Sequence, residues 1–377
     1  MRRLPSMKPE TAAAQALQSI DDATGAVVPP IHLATTYARD ADYAPRGPTY
    51  ARDENPTPVP AERVIAALEG GAAALSFASG MAAATAVFRA LCRPGDHVVS
   101  PRVGYYTLRA WLERFCARWG LSHDLVDTTD LAAVRAVLRP TTRVVWLETP
   151  ANPTWEVTDI AAVAELAHGA GAVVAVDSTC ATPVHTQPIA LGADLVMHAA
   201  TKYLAGHSDV LAGALVTAKA DAAWAQIAEL RHDEGPCLGP VEAYLLTRGM
   251  RTLFARVERS SRTAQHLAHE LAARGVTVRY PGLPSHPQHA VAVRQMTRGF
   301  GGMLSIQVGG GADRALAVIK RLKLWIPATS LGGVESLVEH RYTVEGPTTP
   351  TPPDLLRLSV GLEHEADLLD DLVAALA

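Results

Sequence analysis

Short, nearly continuous apolar runs alternate along this chain with stretches whose apolar positions recur at helical spacing. Runs at 73–77, 97–100, 143–148, 172–177, 194–198 and 214–217 predict strands buried on both faces. A helical pattern precedes them at 61–69, before Gly70-Gly71, and others fall between them, as at 81–91. The alternation predicts an α/β fold with a mostly parallel sheet covered by helices on both sides. Before residue 58 the pattern is weak and rich in proline, threonine and tyrosine, which reads as an extended arm over 1–57. A large domain over 58–240 follows. After residue 240 the pattern changes to a long helical segment at 241–274, strands at 276–278 and 303–308, and helices at 313–323 and 366–376. This predicts a smaller α+β domain over 241–377, with a lid-like loop before Leu355.

With 377 residues the chain is long enough for two domains and a sizeable core. A net charge of -4 offers no electrostatic footprint for nucleic acid or an anionic membrane. No apolar run approaches the length of a membrane span, and the basic start, Met1-Arg2-Arg3, is not followed by a signal-type segment. Cys92, Cys116, Cys180 and Cys237 are too scattered for a metal cluster and read as reduced thiols of a cytoplasmic protein.

In open α/β sheets the ligand lies beyond the carboxyl ends of the strands, so the residues that end each strand carry the chemical information. These are Ser79-Gly80-Met81, Glu148 with Asn152, Asp177 with Thr179, and Thr201-Lys202. Lys202 is one of only five lysines in a chain whose other basic residues are arginines. A partly desolvated lysine amine can form a Schiff base, because burial disfavours its charged form. Ser79-Gly80-Met81, between strand and helix, reads as a phosphate cradle or as a plain turn. Asp177 ends a buried strand and needs a partner, which a protonated pyridine nitrogen, a helix cap or an ion pair could supply. A phosphate cradle, a ring-nitrogen carboxylate and an imine-forming lysine are together the three requirements of pyridoxal 5'-phosphate. A dehydrogenase is disfavoured because the first strand–helix turn lacks Gly-x-Gly-x-x-Gly.

Longer blocks carry a family resemblance. They are 28–37, Tyr50-Ala51-Arg52-Asp53-Glu54-Asn55-Pro56-Thr57, Leu68-Glu69-Gly70-Gly71, Glu148-Thr149-Pro150-Ala151-Asn152-Pro153, 201–209, 330–337 and 356–361. From about Thr24 onward the chain resembles the Cys/Met-metabolism pyridoxal-phosphate enzymes, which include cystathionine γ-synthases, cystathionine and methionine lyases, and homoserine sulfhydrylases. The resemblance implies a fold-type-I transferase with a seven-stranded sheet and a homo-oligomer, dimeric at the active site and tetrameric overall. It implies that Lys202 is the Schiff-base lysine and proton shuttle, and that Asp177, with Thr179 beside it, pairs with the ring nitrogen. Ser79, Gly80, Met81 and Thr201 would hold the phosphate, joined by Tyr50 and Arg52 from the neighbouring subunit. Tyr105 would stack on the ring and assist proton transfer, while Asn152, Ser330 and Arg357 would fix the substrate α-carboxylate.

The implied activity is γ-replacement or γ-elimination on a small homoserine-, methionine- or cystathionine-type amino acid. Cystathionine γ-synthesis comes first, then γ-lysis, with β-lysis or a specialised γ-substitution as alternatives. An aminotransferase is disfavoured because the blocks of the resemblance dominate, and a non-catalytic scaffold by the joint presence of Lys202, Asp177, Arg357 and Tyr50. Ala199, Ser178, Tyr106, Thr329 and Arg341-Tyr342 depart from the residues common among the relatives. Ala199 stands where many relatives have a phosphate-binding serine, Tyr106 bears on the leaving-group pocket, and Thr329 on the amino-acid contact distal to it.

Overall fold

A computed structural model describes residues 7–347 and 349–377. Seven strands form the larger sheet: β1 (Ala73–Phe77), β2 (His97–Pro101), β3 (Ser122–Val126), β4 (Thr142–Glu148), β5 (Val173–Asp177), β6 (Leu195–His198) and β7 (Gly213–Thr217). Their order is β1-β7-β6-β5-β4-β2-β3, and only β7 runs antiparallel to its neighbours. The apolar runs are continuous because both faces are covered. Ala175 and Trp146 join one core cluster with Phe77 and Phe88, whereas Val174, Val176, Val145 and Leu147 join another beneath the helix Ile160–Gly169. Six of these strands match the sequence reading. The seventh, β3, has the mixed sequence Ser122-His123-Asp124-Leu125-Val126 and was not foreseen. It is an edge strand, so little of its surface must be apolar.

The second sheet contains β8 (Thr277–Arg279), β9 (Met303–Gln307), β10 (Ile326–Pro327), β11 (Leu337–Glu339) and β12 (Leu355–Ser359), in the order β10-β11-β12-β9-β8. One face packs Leu304, Ile306, Leu356 and Leu358 against the helices Leu253–Ala273, Gly311–Arg321 and Glu365–Leu376. On strands of period two, the intervening residues Ser305 and Arg357 point the other way. Ser305 there accepts a hydrogen bond from Trp155 Nε1 at 2.8 Å and donates to the Pro153 carbonyl at 2.7 Å, which ties this sheet to the loop after β4.

The expected single helix over 241–274 is two helices, Pro240–Met250 and Leu253–Ala273. At the break the Gly249 carbonyl accepts from Thr252 and from Arg256 Nη2 at 2.7 Å. A side chain at 249 would collide with the Ala205 carbonyl, 2.1 Å from where its Cβ would stand. The loop before Leu355 is shortened at its start by the helix Arg341–Glu345, and Thr348 lies outside the described residues. Among the described residues no helix is long and apolar enough to cross a membrane.

Candidate active site

The ends of β1, β4, β5 and β6 open onto one cavity of about 210 Å³, closed on its far side by residues of the second sheet. Every predicted site residue lines it except Tyr50 and Arg52. Those two lie at the helix Ala51–Glu54 on the arm, where Tyr50 is half exposed and the Arg52 guanidinium rests over its ring at 5.6 Å.

Lys202 follows β6 in a turn whose carbonyls are gripped from below. Arg256, itself buried, donates from Nη1 to the Tyr203 carbonyl at 2.8 Å. The Lys202 ammonium donates to Ser330 Oγ at 2.7 Å. Burial, reinforced by the nearby Arg357 charge, holds its pKa below the usual lysine value. Ser330 has φ 108°, a left-handed backbone that a non-glycine residue adopts only when its surroundings hold it there.

Asp177 ends β5 with its Oδ1 fixed by Thr179, which donates its N–H at 3.0 Å and its hydroxyl at 2.5 Å. The same Thr179 hydroxyl accepts from Ala199 N–H at 2.8 Å. Burial raises the Asp177 pKa in spite of the Thr179 hydrogen bonds. Its neighbour Glu148 ends β4 and receives the N–H of Tyr105 at 2.6 Å and of Asn152 at 2.9 Å. Burial, followed by the Asp177 charge, pushes the Glu148 carboxyl up to about 8.

The helix Gly80–Leu91 begins at the cavity. Ser79 Oγ and its carbonyl take the N–H groups of Ala82 and Ala83, while those of Gly80 and Met81 have no acceptor among the described residues. A Cβ on Gly80 would lie 2.8 Å from the Ala199 Cβ, so the missing side chain lets the helix start close to the β6 end. Of the two hydroxyls expected in the cradle, Thr201 donates its hydrogen to the Ala212 carbonyl at 3.1 Å, while Ser79 Oγ accepts the Ala82 N–H as a helix cap and keeps its own hydrogen to donate.

Arg357 lies in the opposite wall, buried, with burial bringing its pKa down to about 10. Its Nη2 donates to the Ser330 carbonyl at 2.6 Å, Nη1 reaches Asn152 Oδ1 at 3.4 Å, and Nε has no partner among the described residues. Tyr105 stands at the start of the helix Tyr106–Trp119, partly exposed, its ring edge-on to Tyr106.

Sequence reasoning did not anticipate Glu339, whose Oε2 meets Arg357 Nη2 at 2.6 Å, nor Glu345, which pairs with Arg341. The available signal was the acid closing Ser336-Leu337-Val338-Glu339, since a charge ending an apolar strand must find a partner if it is buried.

The arrangement places an amine with a lowered pKa, a fixed carboxylate, a helix N-terminus with open N–H groups, and a guanidinium with open donors around one space. This donor set suits a flat, phosphate-bearing aldehyde with a basic ring nitrogen: anion to the helix end, ring nitrogen to Asp177, aldehyde carbon to Lys202.

Comparison with known proteins agrees. The sequence model of the family described as Cys/Met metabolism PLP-dependent enzyme matches residues 10–377. A cystathionine gamma-synthase of Mycobacterium bovis is 45% identical over 376 residues, covering 98% of this chain and 96% of the relative. A cystathionine beta-lyase of Coxiella burnetii is 40% identical, with 97% of each chain covered. The crystal structure of cystathionine gamma synthase from Xanthomonas oryzae pv. oryzae, in complex with aminoacrylate and cysteine, superposes with a TM-score of 0.95 at 35% identity, over 99% of this chain and 98% of that one. The chain therefore belongs to the Cys/Met metabolism PLP-dependent enzymes, and pyridoxal phosphate is its cofactor.

Proposed function

We propose that this enzyme catalyses γ-replacement on an activated homoserine, joining a thiol amino acid to its γ-carbon as a cystathionine γ-synthase does. The observation that supports this best is the whole-length similarity to cystathionine gamma-synthases, together with a cavity that holds Lys202, Asp177 and Arg357 on separate walls.

Pyridoxal phosphate, when bound, supplies an electron sink that lowers the barrier to losing a proton from the substrate α-carbon. Lys202 Nζ takes that proton, a task suited to an amine whose pKa burial has lowered. It then carries protons between the α-carbon and its neighbours while the γ-substituent departs. Asp177 keeps the ring nitrogen protonated, with Thr179 preventing its carboxylate from turning away. The N–H groups of Gly80 and Met81 bind the phosphate, and Ser79 and Thr201 shape that cradle through their own bonds. Tyr105 covers the ring and assists proton transfer at the leaving group. Arg357, Asn152 and Ser330 orient the α-carboxylate.

Tyr50 and Arg52, set apart from this chain's own cavity, serve the phosphate of a neighbouring copy, so the working unit is a homodimer within a tetramer. The arm 1–57, large domain 58–240 and small domain 241–377 then divide the work into contact, cofactor binding and substrate binding. The four cysteines stand as free thiols, which supports a reducing cytoplasmic setting.

The distal wall favours one second reading. Thr329 spends its hydroxyl on Glu339, and Arg341 lies over the Tyr106 ring at 5.1 Å. A wall so occupied suits γ-substitution with a nucleophile other than cysteine. The test is to assay the holoenzyme with O-acyl- and O-phosphohomoserine, cystathionine and methionine, with and without cysteine, recording product masses. Cystathionine formation from an activated homoserine supports the first reading. Its absence, with 2-oxo acid and ammonia released from cystathionine or methionine, overturns it.

A further inference from the structure

We infer that Glu339 is the positioning residue of this site, aiming Arg357 at the substrate α-carboxylate and bracing the segment that meets Lys202. The inference rests on the reading of Arg357 as the α-carboxylate ligand.

Glu339 ends β11 directly opposite Arg357 on β12, and Arg357 is opposite Ser305 on β9. Three adjacent antiparallel strands thus present Glu339, Arg357 and Ser305 in one row on the face turned toward the seven-stranded sheet. Directly opposed residues of such strands lie close enough for their side chains to meet. Here the carboxylate and both arginines are almost fully buried.

Each oxygen of Glu339 is used. Oε2 pairs with the Arg357 charge, 2.6 Å from its Nη2, and accepts a hydrogen bond from Arg341 Nη1 at 3.2 Å, while Oε1 accepts the Thr329 hydroxyl at 2.8 Å. The remaining donors of Arg341, Nε and Nη2, go to Glu345. Two guanidiniums and two carboxylates therefore balance, and one oxygen holds the two cations side by side against their repulsion.

The consequence for Arg357 is geometric. Nη2 is held by the Glu339 charge on one side and by its hydrogen bond to the Ser330 carbonyl on the other, so turning the guanidinium plane would give up both. What remains for a ligand is Nη1, which has only the 3.4 Å contact to Asn152, and the buried Nε, which has no partner among the described residues. Through Thr329, Glu339 also holds the residue preceding Ser330, whose hydroxyl receives the Lys202 ammonium. A single carboxylate thereby connects the substrate-orienting arginine to the segment facing the lysine.

The test uses the holoenzyme, with L-alanine and L-alaninamide as probes read by the change in the cofactor's visible absorbance. In Glu339→Gln the apparent Kd for L-alanine rises about tenfold to a hundredfold, as expected for losing a charge-assisted bond. The Kd for L-alaninamide stays nearly the same, so discrimination for the carboxylate falls by that factor. Turnover shows the same split, with KM raised and kcat within about threefold. Glu339→Asp, which retains the charge but shortens the reach, falls between. Thr329→Val removes one bond to Glu339 from the cavity wall without burying a charge, and raises Kd by about two- to tenfold even if Glu339→Gln does not fold. An unchanged preference for L-alanine over L-alaninamide in the folded variants, while Arg357→Ala abolishes it, overturns the role of Glu339 alone. Should Arg357→Ala leave the preference intact, the α-carboxylate reading of Arg357 fails as well.

Discussion

Glu148 and Asp177 stand opposite one another at the carboxyl ends of the parallel strands β4 and β5, both buried. Two neighbouring carboxylates cannot both be ionised cheaply in such a place, so one keeps its proton. Thr179 hydrogen bonds favour the charged form of Asp177, which leaves Glu148 as the protonated member, its pKa raised to about 8. A neutral Glu148 can still accept the N–H groups of Tyr105 and Asn152, and so ties the end of β4 to the segments that carry both.

A pH dependence of stability follows for the cofactor-free protein. The folded state holds a proton on Glu148 that the unfolded chain releases above the ordinary glutamate value. The associated stability is therefore complete below about pH 4.5 and declines as pH rises toward about 8. Glu148→Gln removes the titration and flattens the profile by on the order of a few kcal/mol across that interval. Urea denaturation at a series of pH values measures it, and parallel slopes for wild type and variant would contradict the assignment.

Lys202→Ala should bind pyridoxal phosphate without the visible imine band and lose at least about 10³-fold in turnover, because the covalent link and the proton carrier vanish together. Absorbance spectra and steady-state rates check this, and a retained imine band would point to another lysine.

Gly80→Ala should lower both stability and cofactor affinity. Its Cβ would stand 2.8 Å from the Ala199 Cβ and 3.0 Å from its Cα, so the helix must retreat from the strand end. Overpacking of this kind costs about 1–3 kcal/mol, and displaced N–H groups weaken phosphate binding. Denaturation midpoints and cofactor titration should move together.

Ser305→Ala should destabilise the protein by about 1–3 kcal/mol, since Trp155 Nε1 would be left buried without an acceptor. Ser305→Thr retains the hydroxyl and should recover part of the loss if its methyl is accommodated. Equal destabilisation by both would show that space, not the hydrogen bond, matters there.

Much of the larger sheet was legible in the chain because its strands are buried on both faces and so read as unbroken apolar runs. β3 escaped notice because an edge strand can carry Ser122, His123 and Asp124. The break at Arg251-Thr252 escaped because it arises from Arg256 and the Ala205 carbonyl, which no local pattern encodes. Lys202 and Asp177 were legible as strand-end residues of unusual chemistry. Glu339 was not, since its meaning depends on which residue of β12 lies across from it.

The order of residue types along the chain determined a layered α/β architecture and delivered a lysine, an aspartate and a glycine turn to the same edge of one sheet. That much follows from periodicity, which is a local property of the backbone. Only the packed structure decided that burial raises the Glu148 pKa, that Thr201 spends its hydroxyl on the backbone, and that Arg357 is held by Glu339. Those outcomes depend on burial and on distances between side chains remote in sequence, and both exist only once the strands have found their register.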